Sequence, residues 1–183
     1  MNRKEALKLV EERIENKNLV KHCLAVEVCM AALADYFKES REKWDLAGLL
    51  HDIDYEETKD SPERHSLVGA EMLEEIGADK EIVEAVKTHN EMHGIPPQGL
   101  MAKSLFCLDP LTGLIVAATL VLPEKKIRNL NTENVLNRFK EKSFARGANR
   151  EIIQKCSEIG LGLEQFIEIA LEAMQKIDKE LGL

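Results

Sequence analysis

The stretch Trp44-Asp-Leu-Ala-Gly-Leu-Leu-His-Asp-Ile-Asp54 decides how this chain is read. Its apolar residues predict a buried helix that ends on an imidazole beside a carboxylate, His51-Asp52. Burying those two groups is costly unless both are paired or bound to a cation. Imidazole nitrogen with carboxylate oxygen is the donor set of Fe, Mn, Zn, Co and Ni, whereas oxygen-only sets suit Mg and Ca. The stretch therefore predicts a helix that delivers ligands to a transition metal.

Outward from the doublet, the remaining histidines fall into order. The chain has five histidines, and four of them run His22, His51, His65, His89, with Asp109 beyond the last. Apolar residues recur at spacings of three and four almost throughout, and no segment alternates in the manner of a strand. The fold class is all-α. The predicted helices are Arg3 to Glu15, Leu19 to Phe37, and Glu42 to the doublet. A fourth starts at Ser61-Pro62-Glu63, where Ser caps and Pro suits the first turn; this places His65 one turn inside it. Gly77 stops that helix, and Asp79 caps a fifth from Lys80 to about Glu91, with His89 near its end. A sixth runs from Leu100 to Leu122, with a kink or break expected at Pro110. Helices at Glu133–Glu141, Arg150–Ile159 and Leu163–Leu181 complete the chain.

A length of 183 residues suits one substantial core, so residues 1–183 are expected to form a single domain. Hydrophobic residues make up 44% and aromatics only 4%, a mixture of Leu, Ile, Val, Ala and Met that favours helices over a β-sandwich. The net charge of −8 argues against a nucleic-acid polymer as partner, because phosphate backbones demand basic stripes. It leaves room for a small phosphorylated molecule, whose charge a bound cation can meet locally. Cys23, Cys29, Cys107 and Cys156 show no Cys-x-x-Cys spacing and read as reduced, buried thiols, with Cys23 beside His22 an incidental soft ligand at most. The first residues lack the apolar core of a signal peptide, and the apolar run Leu114–Leu122 is too short for a bilayer. A cytoplasmic protein without membrane contact is expected, and its helical surface permits a homodimer.

These residues resemble the HD superfamily of metal-dependent phosphohydrolases, named for the doublet carried here by His51 and Asp52. The family's pattern of a first His, the doublet and a later Asp matches His22, His51-Asp52 and Asp109. Two further histidines, here His65 and His89, mark the subset that holds two metals. The resemblance covers about residues 19–122, the metal-binding core of an HD-like helical bundle, with residues 123–183 as a C-terminal helical extension. It implies that His22, His51, Asp52 and Asp109 hold one divalent transition-metal ion and that His65 and His89 hold a second, with Asp52 bridging and central to catalysis. The implied activity is hydrolysis of a small phosphorylated substrate, a nucleotide above all, by water activated at one or two metals.

The chain departs from common variants. Tyr55 stands where many relatives carry Lys, and Glu56 lies one place from a catalytic Glu of some nucleotidases, so neither role transfers. Leaving-group protonation is open between metal-bound water, Asp54 and His93. The candidate substrate-binding residues are Arg64, His93, Lys142 and Arg146, with Lys103 a further cation. Two alternatives keep the fold: a non-catalytic module sensing a nucleotide or metal, and a di-iron oxygenase.

Overall fold

The computed structural model describes residues 1–183, folded as helices and short 3-10 turns without a strand. Helix α1 (Arg3–Arg13) opens with a reciprocal cap: the Asn2 side chain accepts from the Glu5 amide and the Glu5 carboxylate accepts from the Asn2 amide. α2 (Lys17–Phe37) is capped by Asn16 and carries His22 in its second turn. α3 (Arg41–Leu50) follows after a tight turn in which Lys38 takes a left-handed conformation. Glu27 on α2 is buried and accepts from Nε and Nη2 of Arg3 at 2.6 and 2.9 Å, which fastens α1 to the body.

Gly48 explains how α2 and α3 pack so closely. A Cβ at that position would lie 2.8 Å from the Glu27 Cα and from the Val26 carbonyl oxygen. Only glycine allows the two backbones this approach, and it brings His51, at the end of α3, against His22.

A short α4 (Tyr55–Thr58) and a run of turns lead to α5 (Leu67–Glu75). The sequence places the start of this helix at Ser61-Pro62. The structure places it at Leu67, and His65 lies in the turns before it. The cause is Asp54, whose carboxylate accepts from the amides of Ser66 and Gly69 at 2.8 and 3.0 Å and so caps α5 from a distant part of the chain. Ser66 turns into the helix with φ 74°, and its hydroxyl donates to the Lys87 carbonyl. The Gly69 position is also tight, since a Cβ there would press on the Asp54 carboxyl at 3.2 Å.

α6 (Lys80–Thr88), capped by Asp79 as expected, ends one residue before His89. A 3-10 turn at Glu91–His93 leads to α7 (Gly99–Leu120). The α-helix runs through Pro110 without a break, and its cost is a Phe106 carbonyl deprived of its usual amide donor. α7 is apolar and long enough to cross a membrane by length and composition, but 61% of its most apolar window is buried inside the fold, where it packs against α2, α6 and α8.

The C-terminal segment forms α8 (Thr132–Lys140), α9 (Arg150–Gln154) with a 3-10 continuation at Lys155–Ile159, α10 (Leu163–Gln175) and α11 (Asp178–Leu181). The predicted final helix is thus divided at Lys176-Ile177. These elements share one hydrophobic core with the rest, reaching from Ala6 to Leu181, and α10 lies against α2.

Candidate metal centre

Four elements and the turn before α5 converge on Asp52. His22 comes from α2, His51 and Asp52 from the end of α3, His65 from the turn, His89 from the end of α6, and Asp109 from α7. His51, Asp52 and His89 are buried, while His22, His65 and Asp109 are partly open on one side. All six predicted ligands are therefore in one place.

The two oxygens of Asp52 face in different directions. Oδ2 lies 3.3 Å from His51 Nε2 and 3.6 Å from His22 Nε2; Asp109 Oδ1 closes this group at 2.9 Å from His22 Nε2 and 3.6 Å from His51 Nε2. Oδ1 lies 3.2 Å from His65 Nε2 and 3.5 Å from His89 Nε2. The two groups share the carboxylate between them and also touch where the His51 and His89 rings meet edge to face, 5.0 Å between centroids.

The second nitrogen of every ring is already engaged. His51 Nδ1 donates to the Gly48 carbonyl at 2.8 Å and His89 Nδ1 to the Val86 carbonyl at 2.6 Å. His65 Nδ1 donates to Asp54 Oδ1 at 3.0 Å. His22 Nδ1 faces the Thr112 hydroxyl at 3.3 Å, which itself donates to the Asp109 carbonyl. Carbonyls and carboxylates only accept, so the protons sit on Nδ1 and the lone pairs of Nε2 point inward.

This orientation makes the cluster a set of acceptors facing acceptors. His22 Nε2 and His51 Nε2 are 3.1 Å apart, and His65 Nε2 and His89 Nε2 are 3.2 Å apart, with carboxylate oxygens around them. Such an arrangement requires protons or cations between the atoms. Ligands about 2.1 Å from a shared ion stand roughly 3.0–3.4 Å from one another, close to the separations here. Residues His22, His51 and Asp109, and separately Asp52, His65 and His89, can each hold a divalent metal.

In the metal-free protein, protons fill this role. Burial alone would lower the pKa of His65, but hydrogen bonds to Asp52 and Asp54 outweigh it and raise the value to about 9. Burial likewise opposes charge on His51, and the Asp52 and Asp109 carboxylates overcome it, holding its pKa well above the ordinary range. Asp52 and Asp109 are held well below theirs, against the effect of burial, by the imidazoles around them. The Cys23 thiol lies beside His51 and Asp52, and burial together with the negative charges of Asp52 and Asp109 pushes its pKa well up, so it stays protonated.

Other predicted site residues are placed differently. Arg146 lines a cavity of about 380 Å³ together with His22 and Asp109. His93 Nε2 donates to the His65 carbonyl at 2.6 Å and buttresses the turn that carries that ligand. Arg64 and Lys142 are exposed, and neither lines the cavities that touch Asp109. Asp54 is 1% exposed and committed to His65, Ser66 and Gly69.

Sequence reasoning missed Thr112, which orients His22, and Asn90, whose side-chain amide donates to the carbonyls of Pro62 and His65. It also missed Glu91 and Asn149, joined at 2.8 Å, which together line a cavity of about 150 Å³ that touches His65, His89 and Asp109. Thr112 had a usable signal, since it lies three residues after Asp109 on one helical face. The others depend on long-range folding.

The HD domain family model matches residues 19–141, two-thirds of the sequence. The chain belongs to the HD-domain family. Membership implies metal-dependent phosphohydrolase chemistry, and the match extends past Leu122 to the end of α8. Among curated proteins, the chain is similar to Ribonuclease Y of Nitratidesulfovibrio vulgaris, 27% identical over 169 residues, 91% of this chain and 32% of the relative. Ribonuclease Y of Lawsonia intracellularis is 27% identical over 168 residues, 90% of the chain and 32% of the relative. That of Geobacter sulfurreducens is 26% identical over 169 residues, with 91% and 32% covered. The chain spans about a third of the length of these relatives. No solved structure matches it significantly.

Proposed function

We propose that this protein hydrolyses a phosphate ester of a nucleotide at a centre of two divalent transition-metal ions. The observation that carries this reading is the inward convergence of four Nε2 atoms on the two oxygens of Asp52, with every Nδ1 already bound. His22, His51, Asp52 and Asp109 would hold one ion, and Asp52, His65 and His89 the other. Ions bound there would supply a water deprotonated near neutral pH and positive charge for the phosphoryl oxygens. The chain's own part is to fix the ligands, to share the Asp52 charge between two cations, and to bring Arg146 to the substrate's phosphate.

The similarity to Ribonuclease Y favours a second reading, an RNA phosphodiester as substrate. The net charge of −8 speaks against a long polyanion and for a short one.

Elemental mass spectrometry on protein reconstituted with Mn, Fe, Zn, Co or Ni tests the centre. Two ions per chain are expected, falling to one in the His65→Ala, His89→Ala double variant, and Asp52→Ala should lose both metal and hydrolysis. Hydrolysis that survives in Asp52→Ala, or a wild type that retains no ion, would sink the proposal.

A further inference from the structure

Beyond its first turn, the positions of α7 that are not buried fall on one stripe, Lys103, Asp109, Pro110, Gly113, Val116, Ala117 and Leu120, with Phe106 just beneath it. This stripe is the floor of a groove. Phe106 is shared by a cavity of about 480 Å³ and a central one of about 150 Å³ that touches His65, His89 and Asp109. Asp109, Pro110 and Gly147 are shared by the central cavity and the one of about 380 Å³ that reaches Gly113 and Arg146. The order along the helix is thus side lobe, metal centre, opposite lobe. From Lys103 to Gly113 the axis runs about 15 Å, with Asp109 in between.

The lobes differ in chemistry. The first has walls of Ile95, Pro96, Pro97, Phe106 and Ile152, and its two lysines are outnumbered by Glu91, Glu151 and Glu158. It suits an uncharged, flat, hydrogen-bonding group such as a nucleoside rather than a second phosphate. The opposite lobe carries Arg146, which forms no ion pair within the chain.

Gly113 is the telling residue. Glycine within a helix costs about 1 kcal/mol relative to alanine. Gly48 is glycine because a neighbour forbids a side chain; at Gly113 a Cβ would meet nothing within 4 Å. The space above it is open and continuous with the metal centre.

We infer that the substrate is a phosphodiester lying along α7, its scissile phosphorus at Asp52 and Asp109, one nucleoside in the Pro96–Phe106 lobe, and its second substituent in the lobe that Gly113 keeps open beside Arg146. This rests on the hydrolytic reading of the centre and adds that both sides of the phosphorus carry a large group. A phosphomonoester would leave one lobe without an occupant. Hydrolysis of the diester consumes one water: a P–O bond forms to the water oxygen, one ester P–O bond breaks, and the departing oxygen takes up a proton. The products are a phosphomonoester and an alcohol.

The test compares wild-type, Gly113→Ala and Gly113→Leu proteins, loaded with Mn, on three probes: a dinucleoside monophosphate, the methyl phosphodiester of the same nucleotide, and p-nitrophenyl phosphate. Circular dichroism melts check that the variants fold, as the open space leads us to expect. The ratio of kcat/KM for the dinucleotide to that for the methyl ester should fall at least tenfold in Gly113→Leu and little in Gly113→Ala. An unchanged ratio, or a wild type that cleaves only p-nitrophenyl phosphate, overturns the inference and leaves the hydrolase reading standing. A wild type inert towards all three overturns both.

Discussion

Asp54 shows how much of the centre lies in residues that touch no ion. Its carboxylate orients His65 and caps α5 in one stroke, so the ligand and the helix behind it are fixed together. Replacing a carboxylate that orients a ligating imidazole typically costs 10- to 100-fold in metal affinity. Asp54→Asn should therefore weaken the ion held by His65 and His89 by about that factor, while the ion at His22, His51 and Asp109 is retained. Calorimetric metal titration resolves the two, and equal affinities in variant and wild type would refute the role. Protons compete at the same atoms. Because the metal-free pKa of His65 is raised to about 9 above an ordinary value of 6.5, its contribution to metal-free stability is full below the latter and lost as pH rises through the former. Metal binding needs the neutral ring, so affinity at His65 should climb with pH up to about 9 and level off above it, as measured by a competing chelator. His51-Asp52 was legible because a buried ionisable pair in an apolar run is costly without a cation. Asp54 was not, since its function is defined by amides twelve and fifteen residues on.

The segment between α8 and α9 forms the roof of the groove, and Arg150 holds it. Its guanidinium donates to the carbonyls of Phe139, Ala145, Ala148, Phe144 and Arg138, which sets the position of Arg146, Gly147 and Asn149. Arg150→Ala should raise KM roughly tenfold with a smaller change in kcat, about what a few lost hydrogen bonds are worth. Metal content should stay unchanged, since the ligands come from other elements. Arg150→Lys should not restore KM, because an ammonium cannot present a planar fork of donors to several carbonyls; steady-state kinetics with the metal assay decide this. A KM equal to wild type would show that the roof is held without it. In the sequence, Arg150 reads as the start of a helix, and that much is correct. Its side-chain partners lie in a turn with no repeating pattern to announce it. The error at Ser61-Pro62 has the same origin, for a sound local start signal was overridden by a cap supplied from Asp54. At Pro110 the helix is kept intact by the core around it, which outweighs one lost hydrogen bond.

At the scale of the whole molecule, the all-α architecture was legible because apolar spacing of three and four persists along nearly all of the chain. The closure of the C-terminal helices over the centre was not, since it is written in packing rather than in period. The ligands come from elements spread between α2 and α7, so ions that bind only the folded state brace the entire body. At a free ion concentration about a thousandfold above Kd, the native state gains roughly 4 kcal/mol, or about 10 °C in Tm for a chain of this size. Chelation should lower Tm by that order in a differential scanning calorimeter, and an unaltered Tm would show that no ion braces the fold. The groove's floor and the core are one helix, with Leu105, Leu108, Leu111 and Leu114 of α7 buried beneath the open stripe. A substitution at one of those leucines must disturb the interior, whereas Gly113 on the open stripe, Arg146-Gly147 and the Ile95–Gln98 rim lie outside the core. A library randomised at Gly113, Arg146, Gly147 and Ile95–Gln98 can therefore explore new specificities while leaving the scaffold intact.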